Sequence, residues 1–260
     1  MGSATVQGRL WSQKARAWSE LQEKMHQSLY EGALGALGPL RGKDLLDAGC
    51  GSGMFLEVAA KAGAAVSGVD AAPALIDVAK ERTPGVDLRV ADVEELPFNS
   101  DVFDIVTAFN SIQYAADPIN AMRELARVCR TAGRVLIGQW ADPSRCETEA
   151  LFVRLRQLAP PPPGTPAPLA LSGAGQLEAR MVDAGIRPVG WGEALAPFEY
   201  PDLETAWLAM ASAGPLVRVI EVAGEAEVRE VVEDVFRSAV RADGSVRHEN
   251  VFRWVLAEPA

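Results

Sequence analysis

Histidine and cysteine are scarce in this 260-residue chain, with two of the first and three of the second. His26 and His248 lie far apart and do not make a histidine-rich metal site, so no metal is expected. Cys50, Cys129 and Cys146 are odd in number and widely spaced, which suggests neither a disulfide framework nor a zinc site. Reduced thiols in the cytoplasm are the expectation. No apolar run reaches the roughly 18 residues of a membrane span, and no signal-peptide core opens the chain, so membrane insertion is not expected. The start lacks the Ser or Thr at position six that a myristoylation motif asks for, having Val6 instead. Lys and Arg number 25 against 35 Asp and Glu, a net charge of −10, whereas a nucleic-acid partner normally needs a basic face. There is no phosphate-binding G-x-x-x-x-G-K loop followed by Ser or Thr. There is no G-x-S-x-G nucleophile elbow, because position 51 is glycine. What survives is a protein with a small-molecule partner, monomeric or homodimeric. His248, beside Glu249 and Asn250, reads as a solvated surface residue.

What is present centres on residues 45–55. An apolar run leads to Asp47, then Gly49, Gly51 and Gly53 alternate around Cys50, and a helical pattern follows. The glycines let a ligand lie against the main chain, and a strand turning into a helix offers free N–H groups there. The dinucleotide fingerprint G-x-G-x-x-G fails, since its third glycine would fall on Met54. Asp47 would also repel a pyrophosphate, which argues against a nicotinamide oxidoreductase. It suits a nucleoside carrying positive charge, as S-adenosylmethionine does. A second apolar run ends in Val69 and Asp70, roughly 20 residues past the loop, where an acid reaches a ribose hydroxyl. A third ends in Ala91, Asp92 and Val93. Three strands ending in carboxylates predict one crevice at their carboxyl ends.

These motifs, followed by a fourth-strand motif from Asp101 to Asn110 with the strand itself at Phe103 to Ala108, resemble the class I S-adenosylmethionine-dependent methyltransferases, in particular the ubiquinone and menaquinone biosynthesis branch. The resemblance covers residues 11–140 well and continues more weakly to the C-terminus. It implies an α/β, Rossmann-like fold with seven mostly parallel strands, the last antiparallel, and helical cap insertions. The expected activity is methyl transfer to O, N or C of a small, partly apolar acceptor, with S-adenosylmethionine as cofactor. The alternative is the same cofactor fold without methyl transfer, as a sensor or a host for a cyclisation. The resemblance implies a glycine bed at Gly49, Cys50, Gly51 and Gly53. Asp47 orients that bed or pairs with the cofactor ammonium. Asp70 and Ala71 meet the ribose, Ala91, Asp92 and Val93 the adenine, and Asn110 and Gln113 the methionine end or the acceptor. In-line displacement at an activated methyl needs positioning above all, so no obligatory catalytic residue is legible. His26, Tyr30 and Gln113 are the candidates.

The chain is expected to form a single domain over residues 1–260. One helical face runs over residues 11–37, carrying Trp11, Ala15, Trp18, Leu21, Met25 and Leu29 at three- and four-residue steps. It belongs to an N-terminal segment, 11–38, that precedes a cofactor-binding core, 39–140. His26 and Tyr30, four apart, share a face. The first helices of the core are expected at 54–62 and 73–82, the latter with Pro73 near its start. Glu94 and Glu95 read as solvated. Asp117 before Pro118 starts a helix to residue 129, and residues 131–133 turn into a strand at 134–140. Beyond it, over 141–260, lie strands at 185–191 and 251–257 and cap segments at about 145–184 and 202–241. The first cap is read as helices at 147–158 and 172–184, the latter capped by Ser172, joined through a proline tract at 160–168. The second is read as two helices, 202–213 and 225–241, followed by a turn at Asp243 and Gly244. Trp140, Trp191, Trp207 and Trp254 are candidates for the lining or the core.

Overall fold

A computed structural model describes residues 3–161 and 168–260. The N-terminal segment comprises α1 (Ala4–Ser12), α2 (Ala15–Ala17), a π-turn (Trp18–Gln22), a 3-10 turn (Glu23–His26) and α3 (Gln27–Leu37). Alternation then begins with β1 (Asp44–Ala48), α4 (Met54–Lys61), β2 (Ala65–Asp70), α5 (Pro73–Arg82), β3 (Asp87–Val90), β4 (Phe103–Phe109), α6 (Pro118–Val128) and β5 (Cys129–Trp140). The rest is α7 (Glu149–Leu158), α8 (Gln176–Asp183), β6 (Ile186–Leu195), β7 (Phe198–Tyr200), α9 (Leu203–Met210), α10 (Gly214–Ala223), α11 (Glu225–Arg237), β8 (Val246–His248) and β9 (Val251–Pro259).

The main sheet has the order β3-β2-β1-β4-β5-β9-β6, with β9 antiparallel to both its neighbours. Successive residues of β1 point to opposite faces, and Leu45 and Leu46 are both fully buried. Leu45, Ile105 and Leu136 pack with α3, α4 and the cap helices on one face. Leu46, Val106, Val135 and Ile137 pack with α6 and α8 on the other. Helices on both faces explain why these strands are near-continuous apolar runs. The order reverses between β1 and β4, the place where open sheets leave a crevice at their carboxyl ends.

Local chemistry accounts for the expected junctions. Asp117 caps α6, accepting from the N–H groups of Ile119 and Asn120 at 3.0 Å, with Pro118 in the first turn. Pro73 opens α5 in the same way.

Several expectations are corrected. The stretch 11–37 is not one helix. It is broken at Lys14 (φ −131°) and shifted by the π-turn, which is how such insertions rotate side chains towards a site. Residues 131–133 do not turn but continue β5 through an irregularity opposite Phe103 and Ile105. Ser172 does not cap α8, which begins after the left-handed Gly175. The second cap has three helices, the unexpected one being α10, whose Gly214 and Pro215 start a helix rather than a loop. The proline tract falls largely outside the described residues. His248 is not at the surface. It is 3% exposed and stacks on Phe236 at 4.1 Å, in the small sheet that β8 forms with β7. Glu94 is half-buried and accepts from Ser3, Ala116 and Asp117, tying the first turn of α1 to the core, while Glu95 is exposed.

No single helix among the described residues is long and apolar enough to cross a membrane. The apolar pair α9 and α10 is bent by 94°, and both helices contribute to the core.

Candidate active site

A cavity of about 140 Å³ opens at the carboxyl ends of β1, β2 and β4. Its floor is the loop after β1. The N–H groups of Gly49 and Cys50 donate to the Val69 carbonyl at 2.8 Å, and Gly51 N–H donates to Asp70 Oδ2 at 2.9 Å. Gly49 is required twice over. Its φ is +83°, and a Cβ there would lie 2.2 Å from Ser111 Cβ. Gly53 (φ +81°) sits outside the lining and turns the loop into α4.

Four carboxylates, Glu23, Asp47, Asp70 and Asp92, line the cavity, and no Lys or Arg does so among the described residues. Asp47 is 2% exposed, and its Oδ1 accepts from Thr107 Oγ1 at 2.7 Å. Burial raises its pKa to about 7, only partly opposed by that hydrogen bond, and Asp70 and Glu23 push the same way. Asp70 is also raised, first by burial, although Ala72 and Gly51 N–H groups donate to it. Asp92 Oδ1 accepts from Glu94 N–H at 2.9 Å and Oδ2 from Ala4 N–H at 3.3 Å, so α1 closes over this corner. Gly8 makes that closure possible, because a Cβ there would lie 2.3 Å from the Ala71 carbonyl oxygen.

The π-turn and 3-10 turn deliver Gln22, Glu23 and His26 to the opposite wall. Glu23 is 3% exposed and is held by Arg82 and Ser52 Oγ. His26 is 4% exposed, and burial lowers its pKa to about 4. Burial likewise pushes the Tyr30 hydroxyl far up. Trp18, Phe109, Trp140, Phe152, Phe198 and Met210 complete the apolar end.

Of the residues expected from sequence, Asp47, Gly49, Cys50, Gly51, Asp70, Ala71, Asp92, Val93, Asn110, His26 and Tyr30 all line this one cavity. Asn110 takes a left-handed φ of +48° there, a conformation asparagine tolerates better than most residues. Ala91 and Gln113 are not among the lining residues. Gln113 is buried with its amide turned to Asn110, at 3.4 Å. Among the tryptophans, Trp140 lines the cavity, Trp207 is core, Trp254 is half-buried, and Trp191 is 65% exposed. Sequence reasoning missed Ser3, Gln7, Gln22, Glu23, Ser111 and Tyr114. Glu23 carried no usable signal, because Ser19, Glu20, His26 and Gln27, one turn away on either side, are all polar.

Residues 46–137 match the family model described as a methyltransferase domain. A ubiquinone biosynthesis O-methyltransferase of Coxiella burnetii (strain Dugway 5J108-111) is 36% identical over 100 residues, 37% of this chain and 43% of the relative. The chain therefore matches less than half the length of that relative. Among solved structures, the 4+2 cyclase SpnF has a TM-score of 0.57 at 18% identity, covering 88% of this chain and 80% of that one. A geranyl diphosphate C-methyltransferase from Streptomyces coelicolor A3(2), in complex with Mg2+, geranyl-S-thiolodiphosphate and S-adenosyl-L-homocysteine, has a TM-score of 0.55 at 18% identity. It covers 90% of this chain and 76% of that chain. At such identities the structural likeness speaks for the fold.

Proposed function

Taking residues 46–137 as a class I methyltransferase domain, we propose that this chain moves a methyl group from S-adenosylmethionine to O, N or C of a small, partly apolar molecule. The observation that carries this reading is the charge of the cavity: four carboxylates and no lysine or arginine among the described lining residues. Buried acids without enough cations are costly unless something positive joins them. A ligand with an ammonium and a sulfonium meets that need, whereas a nicotinamide dinucleotide would add phosphates to it. The residues fit in other respects. A side chain at position 49 would collide with Ser111, so that position keeps the loop backbone low.

In this reading Asp70 accepts from the ribose hydroxyls. Asp92 and the Val93 backbone meet the adenine, and Asp47 and Glu23 face the ammonium. The bound cofactor would supply a methyl group on an already activated leaving group. The work of the chain is then to hold two reactants collinear and dry, which is worth roughly 7–11 kcal/mol of barrier.

The test is calorimetric titration with S-adenosylhomocysteine. Binding is expected for the wild-type chain and severe weakening for Asp70→Ala, with the melting transition retained. Absence of binding to the wild-type chain would end the reading. Binding without methyl transfer to any acceptor would favour a sensor or a cyclisation host instead.

A further inference from the structure

Resting on the methyltransferase reading above, we infer that the acceptor carries a carboxylate at the end of an apolar stem, and that Arg218 holds this end in a second cavity, away from the reacting atom. That cavity, of about 80 Å³, adjoins the cofactor cavity and shares Gln7, Tyr114, Phe152 and Pro215 with it. It lies where α1, α7 and α10 meet, with Leu10, Leu155 and Val219 in its wall. No Asp or Glu is among its described lining residues, whereas Arg156 and Arg218 are. The two neighbouring cavities therefore carry opposite charge.

Arg218 is half-buried on α10 and reaches past the end of α7. Its Nη1 donates to the Ala159 carbonyl at 3.2 Å and its Nη2 to the Pro160 carbonyl at 2.9 Å. Carbonyls fix the plane of a guanidinium without cancelling its charge. No carboxylate pairs with Arg218 among the described residues, and residues 162–167 contain no acid. Arg156 differs, since its Nη2 donates to Glu149 Oε1 at 3.0 Å. Capping the end of α7 accounts for the two carbonyl bonds. It does not account for an apolar hollow beside an uncompensated cation. The planar fork keeps further N–H donors, which suit a carboxylate.

The path between the charged ends is apolar. Phe152 belongs to both cavities, and Leu10, Leu155, Pro215 and Val219 line the second. An acceptor lying along this path sets its acid at Arg218 and its other end towards the cofactor. The reverse placement would put a carboxylate beside Glu23, Asp47, Asp70 and Asp92, with no Lys or Arg among the described lining residues to meet it. The pair of cavities thus selects which end of the molecule is methylated, namely the end without the acid.

Occupation of the second cavity leaves the donor seat free. Its lining contains neither the glycine loop nor any of the four acids, so an acid-tailed molecule and S-adenosylhomocysteine bind together. No bond to the carboxylate forms or breaks, and Arg218 is a binding residue alone.

The test uses octanoate and 1-octanol as probes on the full chain, with and without saturating S-adenosylhomocysteine. A plain apolar hollow favours the alcohol, because a carboxylate must shed more water. Octanoate is instead expected to bind about tenfold or more tightly than octanol, and S-adenosylhomocysteine should leave its affinity within about threefold. Equal or reversed affinities, no binding of octanoate, or its displacement by S-adenosylhomocysteine would overturn the proposal. In nitrogen NMR the Arg218 Nε signal should move when octanoate binds, and a signal that stays put would overturn the assignment. Arg218→Gln, whose amide can still donate to a carbonyl, should lower the preference for octanoate by about tenfold with octanol affinity retained. An unchanged preference, including an equal loss for both probes, would refute the role of the guanidinium. Should that variant not fold, the wild-type NMR shift decides. Failure of the wild-type chain to bind S-adenosylhomocysteine would instead refute the methyltransferase reading beneath it.

Discussion

Cofactor affinity should rise with pH between about 4 and 7, because Asp47 must lose a proton to receive a cation. In the free protein its pKa stands at about 7, through burial first and the neighbouring Asp70 and Glu23 carboxylates next. A bound ammonium or sulfonium returns it towards the ordinary aspartate value of 3.8. An acid raised in the free state is protonated there below about 7 and ionised in the complex, so binding must expel a proton throughout that window. Above it no proton moves. Linkage then makes the dissociation constant roughly a hundredfold larger at pH 5 than at pH 8, or ~2.7 kcal/mol. Near pH 6, close to one proton should be released per ligand bound. Calorimetry at pH 5, 6 and 8, repeated at pH 6 in buffers of different ionisation enthalpy, reads both quantities. Asp47→Asn should flatten the profile and abolish the release. A flat wild-type affinity, or uptake of a proton, would refute the electrostatic account of the cavity.

Gly8→Leu should weaken S-adenosylhomocysteine binding at least tenfold while leaving the melting temperature nearly unchanged. The new side chain meets the Ala71 backbone, and tryptic cleavage at Lys14 should quicken as α1 lifts. Unchanged affinity would separate α1 from cofactor retention. Gly49→Ala should cost about 2–4 kcal/mol of stability through overpacking and a left-handed backbone. Adding Ser111→Gly should recover the steric part, as denaturant melts of the single and double variants would show. In nitrogen NMR the His26 imidazole should stay neutral from pH 8 to 5 and take up a proton only towards 4. His26 is faced by Trp18, Phe198, Phe252 and the neutral Tyr30, and Glu23 meets it through its carbonyl. Its base form therefore persists down to about 4. An inflection near 6.5 would show a solvated imidazole.

The strand–acid junctions were legible because each is local. Asp47, Asp70 and Asp92 each end or follow an apolar run, and a parallel sheet brings such ends together. The Asp117 cap and Pro118 were legible for the same reason. The N-terminal break was not, because Trp11, Ala15 and Trp18 keep a regular helical period even though the π-turn shifts the register by a residue. Glu23, with polar neighbours one turn away, reads as a solvated acid until Arg82 and Ser52 arrive from α5 and the glycine loop. His248 looked solvated between polar neighbours, and only its stacking on Phe236, twelve residues away, buries it. The helix α10 escaped because Leu216, Val217, Val219 and Ile220 leave it little polar face to mark the period. The three-residue strands β7 and β8 pair across more than forty residues, which no local pattern announces.

The excess of acid in the cavity has a bearing on turnover. In the methyltransferase reading a donor enters with a sulfonium and an ammonium, and its spent thioether leaves with the ammonium alone. The four acids would then hold the donor more strongly than the remnant, so part of the attraction would end with the transfer itself.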